Sequence, residues 1–227
     1  MRLEETPHLK DYLEQLLAPQ GTLGATLREA RSHAQRHART LNLEGISLST
    51  AEASFLKWAA ARKPAKKAVE IGTLTGGSGV AILEALEVGG TLWTLEKNSV
   101  HSQMARSVLE PLASALQKTV HILEGDARET LKDLSRLGPF DFVFIDGNKA
   151  AYGDYLKWAE SHLEPGGALV ADNVFLGGEI GLEEGVTFSK KQIQVMRQFN
   201  ERLLKSSEWK SVLVPTQEGL IFAERVG

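Results

Sequence analysis

Three stretches near the start of the chain repeat apolar residues at helical spacing. Leu9, Tyr12, Leu13, Leu16 and Leu17 mark the first. A second helix is expected over 22–41. A third is expected from the caps Ser49 and Thr50, with Glu52 in its first turn, through Phe55, Leu56 and Trp58 to Arg62, where Lys63-Pro64 stops it. Beyond that point the period changes. Short apolar runs at 68–72, 91–96, 119–124, 140–146 and 168–172 read as buried strands, and helical patterns near 77–88, 99–117, 127–137 and 151–163 separate them. This alternation predicts a parallel sheet with helices on both faces. Pro165-Gly166-Gly167 predicts a turn leading into the fifth strand. A last helix over 189–206 precedes two short apolar runs, 212–214 and 220–224, joined by a hairpin-like turn at 215–219. No repeat or linker breaks the pattern. Residues 1–227 therefore read as one domain, with a helical cap at 1–64 and an α/β core at 65–227.

The densest chemistry lies where the first strand ends. Val69-Glu70-Ile71-Gly72 runs into Thr73-Leu74-Thr75-Gly76-Gly77-Ser78-Gly79, and an apolar helical pattern follows. A strand, a glycine turn and a helix start form the layout that holds nucleotide-like ligands at the carboxyl edge of a parallel sheet. The loop lacks the Gly-Lys-Ser/Thr ending of a phosphate loop, and its glycines do not follow the dinucleotide spacing. An acid two residues before the first glycine suits a ligand with positive charge or several donors. S-adenosylmethionine has a sulfonium, an ammonium and ribose hydroxyls, and no phosphate.

Composition narrows the classes. The net charge of −3 gives no strong pull toward nucleic acid or an anionic membrane. There is no cysteine, which excludes disulfides and thiolate metal sites. The first seven residues lack the apolar core of a signal peptide, and no apolar run approaches the ~20 residues of a membrane span. The expectation is a soluble cytoplasmic protein.

All five predicted core strands end in at least one acid, which matters because ligands of open α/β sheets bind beyond those ends. Glu96 closes the second strand, where a carboxylate can accept both hydroxyls of a ribose; the plainer reading is a solvated loop acid. Asp126, in Gly125-Asp126-Ala127, can accept from an adenine amino group, or cap the helix that follows, or both. Asp146, Asp172 and Asn173 offer two carboxylates and an amide carbonyl from adjacent strands. That set suits Mg²⁺, Mn²⁺ or Ca²⁺; it is equally compatible with two unrelated turns. Lys149 can act as a general base beside a cation, or be an ordinary exposed lysine opening a helix. His33 and His37 have a spacing that can chelate zinc, but no third ligand is evident, and they read as a solvated or partner-facing helix side. Trp58, Trp93, Trp158 and Trp209 read as packed in or near the core.

With these residues in order, the chain resembles the cation-dependent class I S-adenosylmethionine O-methyltransferases, the group that includes the caffeoyl-CoA and catechol enzymes. The matching motifs are Val69-Glu70-Ile71-Gly72 with Thr75-Gly76-Gly77-Ser78, then Glu96, then Gly125-Asp126-Ala127. Phe144-Ile145-Asp146-Gly147-Asn148-Lys149 with Tyr152 and Asp172-Asn173-Val174 complete the series. The resemblance runs from about Ile46 to Glu224, and the segment from Pro215 to Leu220 resembles the family's terminal hairpin.

The resemblance implies a Rossmann-like sheet of seven strands, mostly parallel with the last antiparallel. It implies that Ile46, Leu48, Glu70, Gly72, Gly76, Ser78, Glu96, Asp126, Ala127 and Asp146 contact S-adenosylmethionine. It further implies that Asp146, Asp172 and Asn173 hold a divalent cation, magnesium first, and that Lys149 is the catalytic base with Asp146 beside it. The expected reaction is methyl transfer to a hydroxyl of a small phenolic acceptor with vicinal hydroxyls, by a homodimer, with no nucleic-acid or membrane partner. Rival readings are a binding module without turnover and a nicotinamide-dependent oxidoreductase. Asn148 in place of a common acid, Gly77 in place of a common tyrosine, Glu218 for aspartate and Ile221 for an acid imply a divergent acceptor pocket.

Overall fold

The computed structural model describes residues 6–43 and 46–227. The first five residues, on which part of the signal-peptide expectation rests, lie outside them. Three helices lead the chain: α1 (Pro7–Leu16), α2 (Thr22–Thr40) and α3 (Thr50–Ala61). Helix α3 starts on a capping box, in which the Ser49 hydroxyl accepts from Glu52 N and the Glu52 carboxylate accepts from Ser49 N at 2.9 Å. The alternating region follows as β1 (Lys67–Ile71), α4 (Gly77–Ala85), β2 (Thr91–Glu96), α5 (Ser99–Ala115), β3 (Thr119–Glu124) and α6 (Ala127–Leu134). Then come β4 (Phe140–Ile145), α7 (Tyr152–His162), β5 (Leu163–Ala171), α8 (Lys190–Lys205), β6 (Trp209–Val214) and β7 (Leu220–Arg225).

The seven strands form one sheet in the order β3-β2-β1-β4-β5-β7-β6. Strands β1 to β5 pair in parallel, and β7 runs antiparallel to both β5 and β6. The central strands are apolar on both sides because helices cover both faces. One face packs Leu56, Leu83, Leu109 and Phe142 with their neighbours under α2 to α5. The other packs Val143, Tyr155, Met196 and Phe199 under α6 to α8. Among the described residues no helix is long and apolar enough to cross a membrane.

Four local expectations change. The turn at Pro165-Gly166-Gly167 lies inside β5, because Leu163 already pairs with Phe140; the ladder then shifts register before Ala168 meets Phe142. Helix α6 stops at Leu134 and its last turn tightens to a 3-10 turn over Ser135–Leu137. Trp58 is not in the core: it is 56% exposed, and rests on Phe55 and Phe222 with ring centroids 5.7 and 5.9 Å away. The His33–His37 side of α2 is half-buried rather than solvated. The His37 ring nitrogen Nε2 meets Ser107 Oγ of α5 at 3.0 Å, and burial, then His33 and Arg36, lower its pKa.

Leu109 of α5 fills the space beside the glycine loop: a Cβ at Gly76 or Gly79 would come within 3.1 or 2.9 Å of its side chain. Leu109→Ala is expected to cost about 2–5 kcal/mol of stability by leaving a cavity there. Urea denaturation checks this; a loss below about 1 kcal/mol would mean the site collapses or is not packed as described.

Candidate active site

Parallel pairing brings the carboxyl ends of β3, β2, β1, β4 and β5 to one edge of the sheet. Glu70 sits one residue before the end of β1, in register with Thr94 of β2. It is fully buried. One carboxylate oxygen accepts from Ser78 Oγ at 2.5 Å and the other from Thr94 Oγ1 at 2.6 Å. The Thr94 proton is then committed to Glu70, so Thr73 Oγ1, which touches Thr94 Oγ1, supplies its own. No ammonium or guanidinium is among these partners. Burial therefore pushes the Glu70 carboxyl up to about 7, against the pull of the Ser78 and Thr94 hydroxyls, with Asp146 and Glu96 adding to the rise.

The glycine loop is tied down on several sides. Thr75 Oγ1 donates to Ala34 O of α2 at 3.0 Å. Leu74, held at φ +49°, donates its N–H to Glu96 Oε2 at 2.9 Å, while Glu96 Oε1 accepts from Asn98 N at 2.8 Å. Gly72 has φ +101°, and a Cβ there would strike the carbonyl of Asp146 on β4. Only glycine fits between these two strand ends. Gly76, also left-handed at φ +92°, caps α4, whose first turn carries Ser78.

On the next strands, Ile145 lies opposite Ala171, so Asp146 and Asp172 stand side by side just past the ladder. Burial raises the pKa of both. For Asp172 it reaches about 7, with Asp146 as the next cause; the Lys149 ammonium opposes the rise in each. Lys149 Nζ donates to Asp146 Oδ1 at 2.9 Å, Asn173 Oδ1 at 2.6 Å and Tyr152 OH at 2.9 Å. Asn173 is left-handed at φ +57°, and its N–H donates to Asp172 Oδ1 at 2.6 Å. Lys149 is thus no solvated surface lysine; its side chain is 14% exposed.

Not every candidate joins this network. Asp126 caps α6 and grips Arg128 through both carboxylate oxygens, at 3.0 and 2.9 Å; that pairing lowers its carboxyl to about 2. Ala127 opens the same helix. Ile46 is exposed and Leu48 half-buried just before α3. Among the described residues, no group of three or more His, Asp or Glu is placed to hold a metal ion. The pair of carboxylates with the Asn173 carbonyl is nevertheless a hard-oxygen set whose Asp146 and Asn173 oxygens already face one cation, the Lys149 ammonium. It fits a divalent cation, with further oxygen ligands coming from outside the chain. Thr73 and Thr94 were not singled out from the sequence. Their signal is a hydroxyl at a fully buried position in or beside an apolar strand. Tyr152 stands out in the sequence only as part of a motif.

Comparison with known proteins agrees with this geometry. A family model described as O-methyltransferase matches residues 23–226. A catechol O-methyltransferase of Niastella koreensis is 36% identical over 163 residues, covering 71% of this chain and 72% of its own. The solved O-methyltransferase TomG of Streptomyces achromogenes, in complex with SAM, superposes with a TM-score of 0.83 at 28% identity over the full length of both chains. A Bacillus cereus O-methyltransferase in complex with SAH gives 0.81 at 28% identity, covering 96% of this chain and 97% of its own.

The Glu70 carboxyl carries a pH prediction. Its ordinary value is 4.5 and its folded value about 7, so between them the folded protein holds the extra proton. Stability contributed this way is present below about 4.5 and is lost as pH rises to about 7. Glu70→Gln removes that loss. Its stability from urea denaturation should fall less over this window than that of the unaltered protein, by on the order of a few kcal/mol. Parallel curves would contradict the buried, raised carboxyl.

Proposed function

The chain belongs to the O-methyltransferase family, and on that premise we propose that it moves a methyl group from S-adenosylmethionine to one hydroxyl of a small vicinal dihydroxy aromatic, assisted by a divalent cation. The observation that carries this reading is the pair of carboxylates on adjacent strand ends, Asp146 and the buried Asp172, with the Lys149 ammonium between Asp146 and the Asn173 carbonyl. One lysine leaves them short of positive charge, and a cation bound to Asp146, Asp172 and Asn173 supplies it. Magnesium is the first choice, with manganese or calcium as substitutes.

S-adenosylmethionine, when bound, supplies an electrophilic methyl on a sulfonium. In this reading the residues of the chain hold and orient. Glu70 takes the cosubstrate's ammonium, and ionises as it does so, because a cation beside a buried carboxyl favours its charged form. Gly72 and Gly76 let the backbone approach, with Ser78 beside them. Glu96 has lone pairs left after Leu74 and Asn98, and these accept the ribose hydroxyls. Asp126 and Ala127 border the adenine, and Ile46 and Leu48 cover the cosubstrate from the side of α3. The cation would bring both acceptor oxygens to the site and favour the ionised hydroxyl. Lys149 Nζ takes the acceptor proton; to do so it must arrive as the neutral amine. Positioning supplies most of the catalysis.

The catechol name of the relative from Niastella koreensis supports a dihydroxy aromatic acceptor. Ile221, wholly buried in β7, stands where the catechol enzymes carry an acid, and this favours an acceptor other than catechol itself. The reading is of a single-domain, cytoplasmic enzyme that works as a homodimer, with no nucleic-acid partner.

Calorimetric titration with S-adenosylhomocysteine should show binding, and NADH should show none. Asp146→Ala should lose Mg²⁺-dependent methylation of a catechol by at least about a hundredfold while keeping most of its affinity for S-adenosylhomocysteine. Full activity of that variant in chelator would sink the metal-assisted mechanism.

A further inference from the structure

Lys149 has three hydrogen-bond acceptors, and two of them belong to the set that would hold the cation. When Asp146 and Asn173 turn to a metal ion, Lys149 loses both. Tyr152 OH is the acceptor that remains, at 2.9 Å. Its geometry suits the task. The phenol is wholly buried, and its single proton is committed to the Asp172 carbonyl at 2.8 Å, with the Ile145 carbonyl farther off at 3.3 Å. The free lone pair of the oxygen therefore points to the lysine. The ring helps as well: Nζ lies 5.0 Å from its centroid. Tyr152 opens α7, and its ring packs on Tyr155 and on Phe199 of α8, with centroids 6.2 and 5.1 Å away. The pivot thus stands on packed helices, one 3-10 turn after Lys149.

We propose that Tyr152 is the positioning residue that holds Lys149 at the reaction site once Asp146 and Asn173 are given to the cation. It is a fixed pivot, and the lysine swings on it between a latch across the two ligands and a base facing the acceptor. This inference rests on the proposed methyl transfer for its purpose, but not for its geometry. The phenol proton is already given to the Asp172 carbonyl, so Tyr152 does not itself take the acceptor proton. It acts through Lys149.

The test removes the two ligands without using a metal. In an Asp146→Ala/Asn173→Ala protein, acylation of Lys149 by an amine-reactive ester, read by peptide mass spectrometry, should stay slow relative to the exposed Lys97 and Lys132. Adding Tyr152→Phe should speed labelling of Lys149 several-fold and leave the other two unchanged. Equal labelling with and without Tyr152 would overturn the pivot, whatever the enzyme's activity. In the otherwise unaltered enzyme, Tyr152→Phe should lower kcat about 10- to 100-fold while the acceptor KM and the affinity for S-adenosylhomocysteine stay within about threefold. An unchanged kcat would contradict the inference alone. Failure of the unaltered enzyme to methylate any diphenol would contradict the methyl-transfer reading and leave the labelling result to decide on Tyr152.

Discussion

Three desolvated carboxylates on neighbouring strands set the terms for the rest of this molecule. Glu70, Asp146 and Asp172 stand at the ends of β1, β4 and β5, which are adjacent in the sheet. Helices cover both faces of the sheet, and at its carboxyl edge burial raises the pKa of all three carboxyls. Among the described residues the Lys149 ammonium offsets Asp146 and Asp172, and the Ser78 and Thr94 hydroxyls hold Glu70. The protein accepts this cost because the apolar layers on both faces of the sheet carry the fold. What the site lacks is positive charge, and both proposed ligands bring it: one as an ammonium and a sulfonium, the other as a divalent cation.

The same edge is rigid where binding needs it. Glu96 grips the backbone of Leu74, Thr75 grips α2, and Gly72 lets β1 and β4 close to contact. Leu74 holds a left-handed backbone that strains a leucine, whereas Asn173 adopts the same region readily; both lie just past strand ends at the carboxyl edge. Behind Asn173, the segment at Val174 and Phe175 is pinned to the β6–β7 hairpin: Val174 N–H donates to Gly219 O and Phe175 N–H to Glu218 O. Gly219, at φ +77°, lies so close that a Cβ would come within 2.6 Å of the Phe175 ring. The hairpin far along the chain thereby fixes the loop that would carry a metal ligand.

Much of this was readable in the chain. Apolar runs and period-3.6 patterns gave the order of strands and helices, because the central strands are buried and the helices amphipathic or buried. The acids at the strand ends gave the site, because a parallel sheet collects them at one edge. What escaped the pattern depends on contacts remote in sequence. Thr94 reads as an ordinary strand former until its register partner proves to be Glu70. Trp58 reads as packed in or near the core, yet on α3 it lies 56% exposed against Phe55 and Phe222. The strand at Leu163 was hidden by Pro165-Gly166-Gly167, whose turn residues are absorbed as an irregularity in the ladder. Tyr152 reads only as part of a motif, and its hydroxyl gains a purpose only beside Lys149.

The central claim is that Asp146, Asp172 and Asn173 hold a divalent cation beside the cosubstrate. Anomalous diffraction from crystals grown with S-adenosylhomocysteine and Mn²⁺ tests it most directly. The account predicts a manganese peak among the side-chain oxygens of those three residues, with Lys149 Nζ displaced from Asp146. S-adenosylhomocysteine bound at Glu70 and Glu96 with no peak there, and Lys149 still seated between Asp146 and Asn173, would contradict it.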